Sequence, residues 1–269
     1  MTLRSTPALF AISTLIWGST WLAIKFQLGV VAPEVSVALR FALAALVLAA
    51  WCAIRRRSLR FDARAHAFLA LQGVLLFGLS YVGVYWAERY ATSGLVAAAL
   101  GVIGVALLFV PELTQAQHGG SGALGILFGL VATAIASGGN LAAMRNQRAG
   151  IAVLTGTTWA MAYGALVAAA IAVALGASWT LDFGAPYVAS LLYLAVFGSV
   201  IAFGAYLTLL KEVGAGSASY VAVATPVVAM LLSTLFEGYR WTPVAVFGVV
   251  LAVAGNCSRS RRVGGGAGR

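Results

Sequence analysis

Seven acidic residues and two histidines make up the chain's usual stock of acid–base groups, and none stands inside an apolar run. Glu34, Asp62, Glu88, Glu112, Asp182, Glu212 and Glu237 fall at the ends of such runs or between them, as do His66 and His118. General acid–base chemistry needs a carboxylate or imidazole held beside the reacting bond. The apolar runs offer neither, so no proton relay is readable there. HExxH and GxSxG are absent, as is a nucleotide-binding loop, which leaves hydrolysis and nucleophilic catalysis without a motif. What remains inside the runs is non-covalent recognition.

The groups suited to recognition are aromatic, amide and guanidinium. Phe77, Tyr81 and Tyr85 recur at i, i+4, i+8 on one run, and Thr155, Trp159 and Tyr163 on another. Residues four apart share a helix face, so each stripe can line one wall of a cavity or pack against a neighbour. Trp17, Asn140, Tyr206 and Tyr220 add amphipathic groups from four further runs, while Trp179 and Trp241 fit an interfacial belt. Asn140 and Tyr81 lie away from run ends, where an unpaired polar group is costly. Arg40 lies about 9 Å into its run at 1.5 Å per residue. Its guanidinium either meets a substrate carboxylate in a bidentate pair or snorkels to the interface and caps carbonyls. Lys25 reads as an interface anchor near Glu34. Gly156, Ala160 and Gly164 allow close helix contact. Pro226, the one mid-run proline, frees a carbonyl four residues back and suits a gating hinge.

These groups must be positioned by membrane helices. The 269 residues are 62% hydrophobic and 9% charged, with a mean hydropathy of +0.97, which no water-soluble fold can bury. Apolar runs cover about 8–26, 34–54, 66–87, 93–110, 122–144, 151–175, 187–210, 217–236 and 242–257. All should be helices that cross the membrane, because a helix satisfies its own backbone hydrogen bonds in lipid. The first run is too long and too polar at its far end for a cleaved signal. Net charge is +10, but the arginines cluster between runs (Arg55–Arg57, Arg60 and Arg64; Arg145 and Arg148; Arg259, Arg261 and Arg262), as positive-inside topology requires. Nucleic-acid binding is excluded because no basic–aromatic stripe lies outside the membrane. Cys52 and Cys257 sit beside arginine clusters as reduced thiols, without metal or redox spacing.

Nine crossings put Arg145, Arg148 and the last arginine cluster on the wrong face; a tenth, placed before residue 111, corrects all of them. An internal repeat points to the same place. WAERYATSGLVA (86–97) and LKEVGAGSASY (210–220) both lead into a G-V-[IV] helix, Gly101-Val102-Ile103 and Gly248-Val249-Val250. The second copy takes 28 residues to get from Tyr220 to Gly248, the first only 4 from Ala97 to Gly101. The expected architecture is therefore all-α and polytopic, with two inverted five-helix repeats of which helix 4 is missing between 97 and 101. Residues 1–116 form the first repeat, 117–257 the second, and 258–269 a cytoplasmic tail ending in a disordered Gly-rich stretch. Inverted repeats are typical of transporters, with the site between the halves.

Trp17-Gly18-Ser19, then Pro33 with Leu39-Arg40-Phe41, then Thr225-Pro226 with Glu237, come in the order found in one family. Over residues 7–257 the chain resembles the drug/metabolite transporter superfamily, EamA type, and is most similar to its bacterial aromatic amino acid exporters. The resemblance implies a ten-helix inner-membrane exporter with both termini cytoplasmic. The expected protein is a monomeric secondary transporter, not an enzyme, without cofactor or metal. It exports aromatic or other neutral amino acids, or similar amphipathic metabolites, by alternating access as a uniporter. A proton-coupled multidrug or cation exporter is the alternative; it would need a carboxylate at mid-depth. The expected substrate contacts are Trp17, Arg40, Tyr81, Tyr85, Asn140, Trp159, Tyr163, Tyr206 and Tyr220, with Pro226 as hinge.

Overall fold

The structure, a computed structural model, describes residues 5–90 and 121–237. The apolar runs at 93–110 and 242–257, the expected loss of a helix at 97–101 and the C-terminal tail lie outside the described residues. Every described element is a helix, as lipid demands of a spanning backbone. They are α1 (Thr6–Lys25), α2 (Pro33–Ile54), α3 (Ala63–Gln72), a π-helical segment π1 (Gly73–Leu79), α4 (Ser80–Tyr90), α5 (Ser121–Arg148), α6 (Val153–Ala174), α7 (Ala185–Tyr193), a second π segment π2 (Leu194–Ile201), α8 (Ala202–Ala218) and α9 (Tyr220–Glu237). Prolines start α1, α2 and α7, where a missing N–H costs nothing. Asp62 caps α3 by accepting from the Ala65 N–H at 2.7 Å. Six helical stretches are long and apolar enough to cross a membrane: Thr6–Lys25, Pro33–Ile54, Ala63–Arg89, Leu127–Arg148, Val153–Ala174 and Ala185–Ala218, with Tyr220–Phe236 slightly shorter. Leu46, Leu166 and Val173 turn outward on them, a surface only lipid can cover.

The third span and its counterpart, each continuous along its axis, share an unusual build. α3–π1–α4 and α7–π2–α8 both begin as a short α-helix, loosen into a π segment and tighten again. In π2, Ser199 Oγ donates to the Leu194 carbonyl five residues back, at 2.9 Å. α8 then breaks at Gly214, whose φ of 75° is open to glycine.

Two 22-residue helices, α2 and α6, make the largest helix–helix contact. They run antiparallel: Cys52 near the end of α2 meets Thr158 near the start of α6, while Val35 and Ala172 share a cluster at the opposite ends. Small residues set the spacing between α6 and π1, as the sequence suggests for α6. A Cβ on Gly73 of π1 would strike the Ala160 carbonyl, and one on Gly164 would strike Phe77.

Arginine placement orients the bundle. Arg60, Arg64 and Arg145 surround one pocket, so the two basic clusters within the described residues share a face. At the opposite face the Trp86 indole donates to Glu34, and its ring lies 5.3 Å from Phe128. The last turn of α4 and the first turns of α5 therefore share that far face. In a background lacking Cys52 and Cys257, Ser58→Cys and Ala149→Cys should react with impermeant maleimide from one side. Ser178→Cys should react only from the other. Labelling of Ser58→Cys and Ala149→Cys from opposite sides would contradict this placement.

Candidate functional site

A cavity of about 510 Å³ opens between the two halves, within the range of small-molecule sites. α1 supplies Trp17, Thr20 and Trp21; π1 and α4 supply Leu76, Ser80 and Tyr81. α5 supplies Thr133, Ser137 and Asn140, α8 supplies Phe203 and Tyr206, and α9 supplies Tyr220, Thr225 and Pro226. Sequence-derived candidates Trp17, Tyr81, Asn140, Tyr206, Tyr220 and Pro226 thus converge on one space.

The walls are aromatic and interlocked. Trp17 packs against Phe203 and Tyr206 at 4.8 and 4.9 Å between centroids. Tyr81 reaches Phe203 at 5.9 Å and Phe41, edge to face, at 4.8 Å. The Trp17 indole N–H donates to the Gly198 carbonyl at 3.1 Å, a carbonyl that lies within π2. Trp17 is thereby fixed with one face toward the cavity.

The polar groups share one character. Ser80 donates to Leu76, Thr133 to Gly129, Ser137 to Thr133 and Thr225 to Val221, each to a carbonyl of its own helix. With the proton committed, each hydroxyl has only lone pairs left to offer. The buried Asn140 Oδ1 accepts nothing. Pro226 has no N–H to give the Ala222 carbonyl, and Ala222 also lines the cavity. The site is rich in acceptors and, among the described residues, carries no Asp, Glu, His, Lys or Arg on its surface. Such a lining suits a ligand with an apolar body and N–H or O–H donors.

Four of the expected substrate contacts, Tyr85, Trp159, Tyr163 and Arg40, stand elsewhere, as does Phe77 of the first stripe. Tyr85 is fully buried and donates to Gln27 Oε1 at 2.7 Å. Four residues advance an α-helix by about 400°, so each step of an i, i+4 stripe rotates about 40° off the face while descending about 6 Å. That drift takes Tyr85 from Tyr81's cavity toward the Glu34 end. Phe77, inside π1, packs on Phe41 and Phe203 as core. Trp159 and Tyr163 gather around His66 at the arginine end. Tyr163 shares a 2.9 Å hydrogen bond with His66 Nδ1, and Trp159 donates to the Leu59 carbonyl. α6 turns its small-residue face to π1, which carries the adjacent aromatic face away from the cavity. Arg40 is wholly buried behind Tyr81, with its guanidinium carbon 4.7 Å from that ring.

Trp21, Thr20, Ser80 and Phe203 went unread in the sequence. Trp21 follows Trp17 by one helical turn and Phe203 precedes Tyr206 by three residues, so extending those two stripes finds both. Thr20 and Ser80 carry no such signal.

Comparison with known proteins agrees with this architecture. Residues 5–114 and 123–257 each match the EamA-like transporter family. The chain is 30% identical over 279 aligned positions to the uncharacterized inner membrane transporter YedA of Escherichia coli K12, covering 92% of this chain and 90% of that protein. It is also 30% identical over 111 positions to protein PagO of Salmonella typhimurium LT2, covering 40% and 36%. A crystal structure with 18% identity superposes with a TM-score of 0.69 over 93% of this chain and 95% of that one, which speaks to the fold alone. Doubled matches across nearly the whole chain, spanning helices and a cavity between the halves lead to one conclusion: the chain belongs to the EamA-like transporter family and is a membrane transporter.

Proposed function

We propose that the protein exports amino acids, aromatic or otherwise neutral, or similar amphipathic metabolites across the bacterial inner membrane by alternating access. It works as a monomeric uniporter with Pro226 as the hinge of the gate and both termini cytoplasmic. The observation that carries this reading is the cavity: aromatic, lined by acceptors and, among the described residues, uncharged on its surface. An apolar side chain fits the rings, and an ammonium fits Asn140 and the Ala222 carbonyl.

Several facts support two inverted five-helix repeats as the frame. α2 and α6 are antiparallel equivalents, and a π segment interrupts the third span of each half. The first family match, 5–114, is shorter than the second, 123–257, by about one helix and a turn. Aligning the chain with YedA takes 279 positions although the chain has 269 residues, as a deletion in this chain requires. A single crossing between α4 and α5 would also put their adjoining ends on opposite faces, whereas they share one.

Purified protein in liposomes loaded with a panel of labelled amino acids tests the function. Efflux of phenylalanine or another neutral amino acid should exceed that from protein-free liposomes. Tyr81→Ala or Tyr206→Ala should change which side chains are carried while leaving the protein folded. Efflux of lipophilic cations without efflux of any amino acid would overturn the reading in favour of a drug exporter.

A further inference from the structure

We propose that Arg40 is a concealed carboxylate receptor for the central cavity, so that what the protein carries is defined by a carboxylate group. This rests on the reading of that cavity as the transport site, and it adds a requirement that the cavity surface alone does not impose. Acceptors on the cavity wall, such as the Thr133 and Ser137 hydroxyls, favour a donor-bearing ligand and by themselves would admit amines as readily as acids.

Hydrogen-bond capacity at Arg40 is the first ground. A guanidinium has five N–H donors, no acceptor and no neutral form in proteins. At Arg40, Nε donates to Ser199 Oγ at 3.0 Å, while the terminal groups Nη1 and Nη2 are buried with no well-aligned acceptor; the neutral Tyr81 and Tyr85 hydroxyls are the polar groups nearest the guanidinium besides Ser199. The residue has no exposed surface, and no described carboxylate forms an ion pair with it. The rings of Tyr81 and Phe41 lie under the guanidinium carbon at 4.7 and 5.3 Å, a contact that offsets only part of the lost hydration. A charged group kept in the membrane interior without an opposite charge marks a functional position, and here the absent partner is an anion.

Position is the second ground. Ser199 and Gly198 belong to π2. A Cβ on Gly198 would lie 2.8 Å from Thr20 Cγ2 and 3.0 Å from Arg40 Nη2, so the guanidinium reaches this point because Gly198 has no side chain. The carbonyl of Gly198 holds Trp17. Thr20, Trp17 and Tyr81 all line the cavity, which leaves a wall one side chain thick between it and Nη2. Rotation of Tyr81 about χ1, between staggered rotamers, opens that wall. A carboxylate entering beside Tyr81 then meets two parallel N–H donors in the geometry guanidinium prefers.

The probes are L-phenylalanine, 3-phenylpropionate, phenylalaninamide and phenethylamine, which share the ring and differ in the charged groups. Calorimetric binding to detergent-purified protein is measured alongside competition against labelled phenylalanine efflux. The two acids should bind and compete, with the amide and the amine weaker by about 30-fold or more, as when one partner of a buried charge pair is removed. Arg40→Gln should lose this preference and Arg40→Lys should retain part of it. Gly198→Ala, which crowds Nη2, should weaken the acids selectively. Should Arg40→Gln fail to fold, the analogue series on the unaltered protein still decides. Equal binding of acid and amine, or binding of the amine alone, overturns the role of Arg40 even if transport proceeds. Acid-selective binding with no amino acid efflux instead leaves Arg40 standing and removes the export reading.

Discussion

Gly73→Val is expected to leave no recoverable folded protein, and Gly139→Val little more. A Cβ on Gly73 would collide with the Ala160 carbonyl oxygen and come within 2.8 Å of Tyr163 Cβ. At Gly139 the obstacle is the backbone of π1, with Leu76 N at 2.7 Å and Leu76 Cα at 2.8 Å. Neither obstacle is a flexible side-chain tip, so one helix must move bodily away from another. Overpacking a well-filled interior costs about 1–3 kcal/mol; forcing two backbones apart adds the dispersion lost along the whole contact. Against a net stability of about 5–15 kcal/mol, the sum falls near the threshold for folding. Gly204 is the control, since nothing lies within 4 Å of its would-be Cβ. Gly204→Ala should stay within about 1 kcal/mol of the parent or gain slightly from helix propensity. Thermal unfolding in detergent, followed by size-exclusion fluorescence, separates the three. A normal melting profile for Gly73→Val would show that π1 and α6 do not pack as described.

The helices were legible because lipid enforces one rule on every residue. All seven apolar runs that fall within the described residues, from 8–26 to 217–236, coincide with helical stretches, since polarity along the chain changes sharply at Pro33, Arg55 and Pro186. The shared face of Arg60 and Arg145 was legible for a similar reason: hydrated guanidinium clusters do not cross a bilayer. The small-residue face of α6 was legible too, as nothing but contact explains Gly156, Ala160 and Gly164 in register. The π segments were not. Their residues, Gly73–Leu79 and Leu194–Ile201, are apolar like those around them, and the wider turn comes from packing rather than composition. Helix periodicity alone also fails to say which neighbour a face meets. The stripes through Tyr81 and Trp159 look alike in sequence. One borders the cavity, while the other closes on His66, a residue read beforehand only as a loop-end histidine. Arg40 was visible as a charge out of place, but its separation from the cavity by one tyrosine ring needed three-dimensional contacts.

An imposed pH gradient is expected to leave the final distribution of a carried amino acid unchanged. Coupling to protons requires a group that takes up a proton in one orientation of the carrier, releases it in the other, and interacts with substrate. Among the described residues the cavity surface holds none: its polar residues are hydroxyls, indoles and an amide, which stay neutral across physiological pH. Among the described residues, the buried carboxylates Glu34 and Glu88 sit at the face opposite Arg60, Arg64 and Arg145. Glu34 is engaged there by the Trp86 indole rather than by anything that lines the cavity. On the proposed uniport, substrate moves down its own gradient until the two sides are equal. In a one-for-one proton exchange, a gradient of one pH unit corresponds to about 1.4 kcal/mol and an accumulation of about tenfold. Liposomes containing purified protein, equilibrated with labelled phenylalanine and then given such a gradient, distinguish a ratio near one from a ratio near ten. Glu34→Gln and Glu88→Gln should leave that ratio near one and act only on stability or rate. Accumulation toward tenfold that disappears in either variant would identify the coupling carboxylate and refute uniport.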